Sequence, residues 1–425
     1  LAVKLSRTVS LVLALAAVLA VSLPIGAVKI QHLAHTTNVV ELDLYADLAA
    51  KYFQAEHPDI EVEILAPTGQ QWTEKLVTMV AAGIPPDTVF CANWWIADMV
   101  ERGLFLDITE YVARDKTWND DEYFPVTITQ TFYKGRRYAV PRHFSPMLMF
   151  INQDLFRQSG LADPPSDWTW DDFVEVARVL TRSTDNVRTQ WGFALIGPGD
   201  LAGDALTIPI IRSFGGDLFS EDGLKLALAE PRSVGPMQWL IDLSNVEHVA
   251  PMVGESAGAF SGGRIAMHLN AFYRIMQLRS ANVQFDWDVV QVPRGPVARV
   301  NRGASGVHAI VSASKHPEEA WEWIKFLAGK EAQLAFASNG LVMGARRDSA
   351  IVKTLMSEDT PPKNIRLFLE AALDAWPYPV TPYFNQAVAA LRPALDAAWR
   401  GNKSFRAAID EIKDHIELIL QGKAQ

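Results

Sequence analysis

The chain has 425 residues, 49% of them hydrophobic, and 39 Lys and Arg against 49 Asp and Glu leave a net charge of −10. That apolar content excludes a disordered chain, and the length accommodates two or three domains. The negative charge argues against sequence-independent attraction to nucleic acid or anionic lipid, and ordinary Gly and Pro counts of 26 and 24 exclude collagen-like and low-complexity classes.

Lys4 and Arg7 precede an uncharged run over residues 9–28 whose most apolar part, 11–23, is short for a membrane span. Residues 1–27 are therefore expected to be a secretory signal peptide, with small residues at Gly26 and Ala27 near the cleavage point and an uncleaved membrane anchor as the alternative. No cysteine stands at the end of that run, so an exported protein without a lipid anchor is expected. Residues 29–33 read as a strand. Residues 41–57 read as a helix with Leu44, Leu48, Tyr52 and Phe53 on one face, stopped by Pro58. Ile60, Val62 and Ile64 alternate with Glu61 and Glu63 as a half-exposed strand. Residues 72–82 form a helix ended by Gly83, and 88–91 a buried strand holding the single cysteine, Cys91. This alternation implies a parallel sheet and an α/β fold.

Residues 133–138 carry a hairpin turn, Pro141 interrupts strand pairing, and 147–151 are an apolar strand, so the first crossing between lobes is expected near Pro141. Thr169 and Asp172 have capping-box spacing for a helix over 171–180. Pro317-Glu318-Glu319 opens a helix that ends at Gly329, and the last hundred residues are mostly helical.

Catalytic motifs are sparse. The nine histidines are scattered singly, with no His-Glu-x-x-His, no Cys/His cluster and no Gly-x-Ser-x-Gly. Gly197-Pro198-Gly199-Asp200-Leu201-Ala202 nominally fits a dinucleotide fingerprint, but it lies far from the first strand-helix unit and has proline in its turn, so a plain loop is expected. The acidic pairs Asp120-Asp121, Asp171-Asp172 and Glu318-Glu319 fall at helix starts, where they complement the helix dipole.

Strand ends, by contrast, are rich in aromatic, amide and hydroxyl side chains: His35-Thr36-Thr37, Asn93-Trp94-Trp95, Arg142-His143-Phe144 and Asn270-Ala271-Phe272-Tyr273. In a parallel α/β sheet those ends face the ligand crevice. A pyranose suits such a set, because its C–H face packs on a flat ring and its hydroxyls need directional partners. Any one of these aromatics could equally be core; the reading rests on their joint placement.

Glu56-His57-Pro58-Asp59-Ile60-Glu61-Val62, Ala81-Ala82-Gly83-Ile84-Pro85-Pro86-Asp87, Tyr138-Ala139-Val140-Pro141, Phe150-Ile151-Asn152-Gln153-Asp154, Phe260-Ser261-Gly262-Gly263-Arg264-Ile265-Ala266-Met267 and Ser314-Lys315-His316-Pro317-Glu318-Glu319-Ala320-Trp321 occur in one order along the chain. In that order the sequence resembles the carbohydrate-type extracellular solute-binding proteins of ABC importers, related to maltose-binding protein. The resemblance implies a two-lobed, type II periplasmic-binding-protein fold with a hinge and several inter-lobe crossings. Residues 28–141 with a return over 306–345 would form one lobe, and 142–305 completed by 346–425 the other. It implies a periplasmic monomer that binds a sugar or oligosaccharide and meets permease subunits, with no cofactor, metal, nucleic acid or catalysis. Candidate ligand contacts are His35, Thr36, Gln71, Asn93, Trp94, Arg142, His143, Phe144, Asn270, Phe272, Tyr273, Ser305 and Arg346, with Trp94 and Tyr273 as opposing jaws. Two rivals remain: a phosphorylated or acidic solute held by Arg142 and the Arg346-Arg347 pair, and a glycoside hydrolase using two carboxylates.

Overall fold

A computed structural model describes residues 26–67, 71–185, 187–194, 207–252, 260–340, 342–348 and 360–424. The apolar run expected to be a signal peptide and the nominal dinucleotide loop lie outside the described residues. Two sheets organise the chain. The strands that matter here are β1 (Val28–Leu33), β2 (Ile60–Leu65), β3 (Thr88–Ala92), β4 (Ala139–Phe144), β5 (Met147–Asn152), β6 (Arg182–Thr184), β7 (Val187–Ala194), β8 (Ile265–Ala271), β9 (Trp287–Val290), β10 (Ser305–Ile310) and β11 (Met343–Gly344). The first sheet has the order β11-β4-β10-β3-β1-β2, and the second β9-β5-β8-β7-β6.

In the first sheet β1 runs parallel to β2 and β3, as the strand-helix alternation implies, while β10 returns antiparallel between β3 and β4. All five residues of β3 are buried, because both faces of this central strand are covered. On one face Leu33, Val89 and Cys91 pack against Trp72, Leu76 and Met99. On the other, Ile30, Val140 and Ile310 meet Tyr45, Leu48, Phe53, Trp323 and Ile324. The helix expected over 41–57 spans 39–56, but its middle, Leu48–Phe53, is a wider π-helical turn. That turn changes the buried stripe to Tyr45, Leu48, Ala49 and Phe53 and leaves Tyr52 43% exposed, since each residue advances less than 100° around a π turn.

The second sheet is sandwiched in the same way. Met147, Met149 and Ile151 point to a core closed by the helices Trp170–Leu180, Phe384–Trp399 and Phe405–Leu420, and the alternate residues Leu148 and Phe150 point to one closed by Ile275, Leu278 and Phe368. The Thr169/Asp172 capping box is formed in both directions, and its helix begins at Trp170. The Lys134-Gly135 turn has positive φ at both residues (48° and 77°), the geometry a two-residue hairpin requires.

Ser145-Pro146 joins β4 of the first sheet to β5 of the second. Pro141 sits within β4, opposite Val307 beside a register shift, and β11 pairs only with His143 and Phe144. A residue without an N–H is tolerated there because no ladder bond is needed on that side. The chain returns to the first sheet at β10, and beyond β11 Ile365 joins a cluster that includes Leu148, Phe150 and Trp287 of the second sheet. Asn301 ties two crossings together: its Oδ1 accepts from Met147 N (2.8 Å) and its Nδ2 donates to Met147 O (2.7 Å).

Candidate ligand-binding cleft

The ends of β3, β4, β5, β8 and β10 converge on a cavity of about 350 Å³ between the two sheets. Its first-lobe wall consists of His35, Phe90, Ala92, Trp94, His143, Ser305 and Gly306; Ser145, Met147, Ala271, Tyr273, Arg302 and Ala304 complete it from the crossings and the second lobe. Flat rings and methyl groups thus alternate with hydroxyl, imidazole and guanidinium groups. Among the described residues no carboxylate lines it.

Five of the expected contacts meet here: His35, Trp94, His143, Tyr273 and Ser305. His35 follows β1 and its ring rests between Trp72 (5.6 Å between centroids) and Phe90 (5.8 Å). Trp94, in the turn after β3, is half-buried; its ring lies 5.3 Å from that of Tyr378, which comes from the C-terminal part of the chain. Tyr273 opens the helix Arg274–Ser280 and is 45% exposed. Ser305 is buried, and its N–H donates to Asn93 Oδ1 at 3.1 Å.

The other expected contacts take different roles. Thr36 Oγ1 accepts from Asn38 N (3.0 Å), shaping the turn that precedes the helix from Val39. Gln71 is exposed at the N-cap of the helix Trp72–Ala81. Asn93 is spent on Ser305. Asn270 pairs its Nδ2 with His268 Nε2 (2.8 Å) and its Oδ1 with Ala271 N (2.8 Å). Phe144 and Phe272 are buried in the hydrocarbon core; Phe144 is there because neighbours along a strand point to opposite sides and only His143 of its trio can face the cleft.

Two of the three arginines of the anion-clamp reading are already engaged, and the third, Arg347, is exposed with its backbone N–H on Glu122 O (2.7 Å). Arg142 is 1% exposed, ion-paired with Glu41, and its guanidinium lies 4.2 Å from the Phe90 ring centroid and 4.4 Å from that of Phe336. Arg346 pairs with Glu122 (2.7 Å) over the Tyr123 ring and lines a separate cavity. None of the three lines the cleft, so that clamp is corrected: Arg142 and Arg346 are each held by a counter-ion of their own.

Sequence reasoning missed Phe90, Ser145, Met147, Arg302 and Gly306. Arg302 is the cation that does line the cleft; its Nε donates to the Tyr378 hydroxyl at 3.2 Å. Its signal was the Arg302-Gly303-Ala304-Ser305-Gly306 stretch, whose small residues admit close neighbours. A Cβ on Gly303 would lie 2.2 Å from Trp376 O, and one on Gly306 would lie 2.2 Å from His143 Cε1.

Burial dominates the electrostatics behind the first-lobe wall. His32 is fully buried, with Nδ1 2.8 Å from Thr88 Oγ1, and its pKa is drawn down to about 3 by desolvation, with the Arg142 charge adding to it. Desolvation likewise holds His308 and His143 well below the ordinary imidazole value, and burial raises the Cys91 thiol.

A family model for bacterial extracellular solute-binding proteins matches residues 38–334. The chain is 22% identical over 387 residues to a putative binding protein of Brucella abortus, covering 89% of this chain and 90% of that one. It is 25% identical over 221 residues to an arabinooligosaccharide-binding protein of Halalkalibacterium halodurans, covering 50% and 45%. Among solved structures it is similar to an ABC substrate-binding protein from Listeria monocytogenes in complex with cycloalternan (TM-score 0.81, 22% identity, 93% of this chain and 99% of that one). The sugar-binding protein MalE from Xanthomonas citri superposes with TM-score 0.79 at 19% identity, over 93% and 98%.

Proposed function

The chain belongs to the bacterial extracellular solute-binding protein family, and from that premise we propose that it captures a sugar or short oligosaccharide between its lobes and hands it to an ABC permease. The observation that carries the reading is the cleft lining: exposed or half-exposed rings of Trp94 and Tyr273 accompany His143, Ser145, Arg302 and Ser305. Rings take the C–H faces of a sugar, and the polar groups take its oxygens. The family consists of binding proteins, and nothing covalent is asked of the site. A solute touching both walls favours the closed arrangement by its differential affinity, and the crossings at Ser145-Pro146 and before β10 are the places for a hinge to bend. Moving the molecule from mostly open to mostly closed takes about 10⁴-fold preference for the closed state. The N-terminal apolar run fits export as a cleaved signal peptide. Among the described residues, no helix is long and apolar enough to cross a membrane.

Thermal unfolding against a panel of mono- and oligosaccharides tests this. A sugar at 100 times its Kd adds about 2.7 kcal/mol of stability, so at least one should raise the Tm and be recovered chemically unchanged. If none does, and X-ray scattering shows no compaction with any of them, the sugar reading fails. The panel includes glycerol 3-phosphate, because Arg302 lines the cavity; a Tm rise with it alone would favour an acidic solute.

A further inference from the structure

We propose that Arg142 fixes His143 as the uncharged tautomer protonated at Nε2, so that the cleft wall offers one oriented N–H donor at this position, matched to a neutral oxygen acceptor on the solute. The ligand half of this inference rests on the cleft reading above; the tautomer half stands on geometry alone.

Arg142 Nη1 lies 2.9 Å from His143 Nδ1. A guanidinium has five N–H donors and no acceptor, so the bond runs from Nη1–H to the Nδ1 lone pair, and Nδ1 cannot hold a proton. A neutral imidazole then carries its proton on Nε2. Arg142 is itself held on three sides: Glu41 neutralises it, and the rings of Phe90 and Phe336 flank the guanidinium. Its reorientation would leave a buried charge unpaired, which confines the donor to this direction. The imidazole is confined as well, since its Nδ1–Cε1 edge lies over Gly306, where a Cβ would come within 2.4 Å of Nδ1 and 2.2 Å of Cε1.

The charged and titratable groups around the ring favour its neutral form. Arg142 adjoins it on β4, His308 lies on the neighbouring β10, His35 comes from the loop after β1, and Arg302 from the crossing before β10; the nearby carboxylate, Glu41, is taken by Arg142. The β11 residues that flank β4 here, Met343 and Gly344, carry no charge. A second proton would bring an imidazolium against a guanidinium, so burial together with Arg142 and Arg302 keeps the ring neutral well into acid. Arg142 is thus a positioning residue: it touches no solute yet decides which atom of His143 carries the proton. A hydroxyl, ring or glycosidic oxygen satisfies the resulting donor, whereas an ammonium leaves two donors facing each other.

The test is ¹⁵N NMR of the full chain labelled on its histidines, without sugar, from pH 8 to pH 5, with the His143 signals assigned through His143→Gln. The expected spectrum has Nε2 protonated, Nδ1 as a hydrogen-bonded acceptor, and no titration. Protonation at Nδ1, or a midpoint near the ordinary imidazole value, overturns the inference. Arg142→Leu should release the ring to mix tautomers and titrate; should that variant not fold, the wild-type spectrum decides alone. The ligand half is read with maltose, mannobiose and arabinotriose, using whichever binds. His143→Gln, which keeps an N–H near the Nε2 position, should retain affinity, and His143→Leu should lose about tenfold. Unchanged affinity in His143→Leu overturns the donor role while the cleft reading stands. If none of the three binds, the sugar that raises the Tm in the wider panel takes their place; if no sugar of the panel binds, that reading fails while the spectrum still decides the tautomer.

Discussion

The two lobes offer strand ends to the same cleft, yet what stands behind each wall differs. Behind the second-lobe wall lies hydrocarbon: Met149, Ile151, Phe193, Met267 and Leu269 under two long C-terminal helices. Behind the first-lobe wall lies a cluster of buried polar rings and charge. The His32 ring sits 5.0 Å from Tyr45 and 5.3 Å from His308, and Arg142 with Glu41 lies alongside. A hydrocarbon backing holds a wall by shape alone and tolerates small changes in volume. A polar backing can orient hydrogen-bonding groups at the surface, but each unmade partner and each forced proton is costly.

The largest effect should come from breaking that polar backing. Arg142→Leu leaves Glu41 and the His143 Nδ1 without their cation, and removal of one member of a buried pair costs about 3–5 kcal/mol. Urea unfolding should register this as a lower midpoint. Leu148→Ala, cut from the second-lobe strand, should cost about 2–5 kcal/mol through its cavity alone, and only the arginine variant should also change the ring nitrogens of His143.

Acid should divide the lobes next. His32 and His308 have folded pKa values depressed below the unfolded value of about 6.5. The unfolded chain therefore binds more protons below that pH, and their contribution, complete above about 6.5, is lost as pH falls toward the folded values. At pH 5.5 the two together should cost on the order of a few kcal/mol. Among the described residues of the second lobe the comparable group is His268, lowered to about 4 by burial. Hydrogen exchange at pH 7.5 and 5.5, corrected for intrinsic rates, should show protection falling more in β1, β3 and β10 than in β5 and β8. Equal loss in both sheets would erase the distinction.

Glycines sharpen the contrast at smaller scale. A Cβ on Gly192 would lie 2.0 Å from the backbone oxygen of Ala177, inside the second lobe's helix-sheet contact. Gly192→Ala should cost about 3 kcal/mol through overpacking and leave sugar affinity unchanged in the folded fraction. On Gly306 the Cβ meets the His143 ring instead, and a side chain yields where backbone does not. Gly306→Ala should cost about 1–2 kcal/mol and weaken sugar binding, because the ring it displaces faces the cleft.

These contrasts also mark what the sequence made legible. The parallel strands, the Thr169 capping box, the Lys134-Gly135 turn and the helix from Pro317 to Gly329 were readable because each is set by residues a few positions apart. The cleft was readable as a place, since strand ends carry it, but only partly as a set of residues. Arg142, His143 and Phe144 were grouped together, although a strand turns successive side chains to opposite sides. The fate of Arg142 depends on Glu41, 101 residues away, and that of Arg346 on Glu122. Such pairings arise from sheet order, which no local pattern encodes.

The smallest expected effect separates the two jaws. The resemblance treats Trp94 and Tyr273 alike, as opposing jaws of the cleft. Trp94, however, is packed against Tyr378 and the second-lobe core, so Trp94→Ala should cost about 1–2 kcal/mol without any sugar present. Tyr273 is 45% exposed at the first turn of its helix, and its truncation should shift unliganded stability by about 0.5 kcal/mol or less. Both should lower affinity for whichever sugar of the panel binds. Unliganded melts of the two variants side by side decide whether the jaws differ. A loss in Tyr273→Ala as large as in Trp94→Ala would make Tyr273 a packing residue, and the second-lobe wall would then contribute shape without a stacking ring of its own.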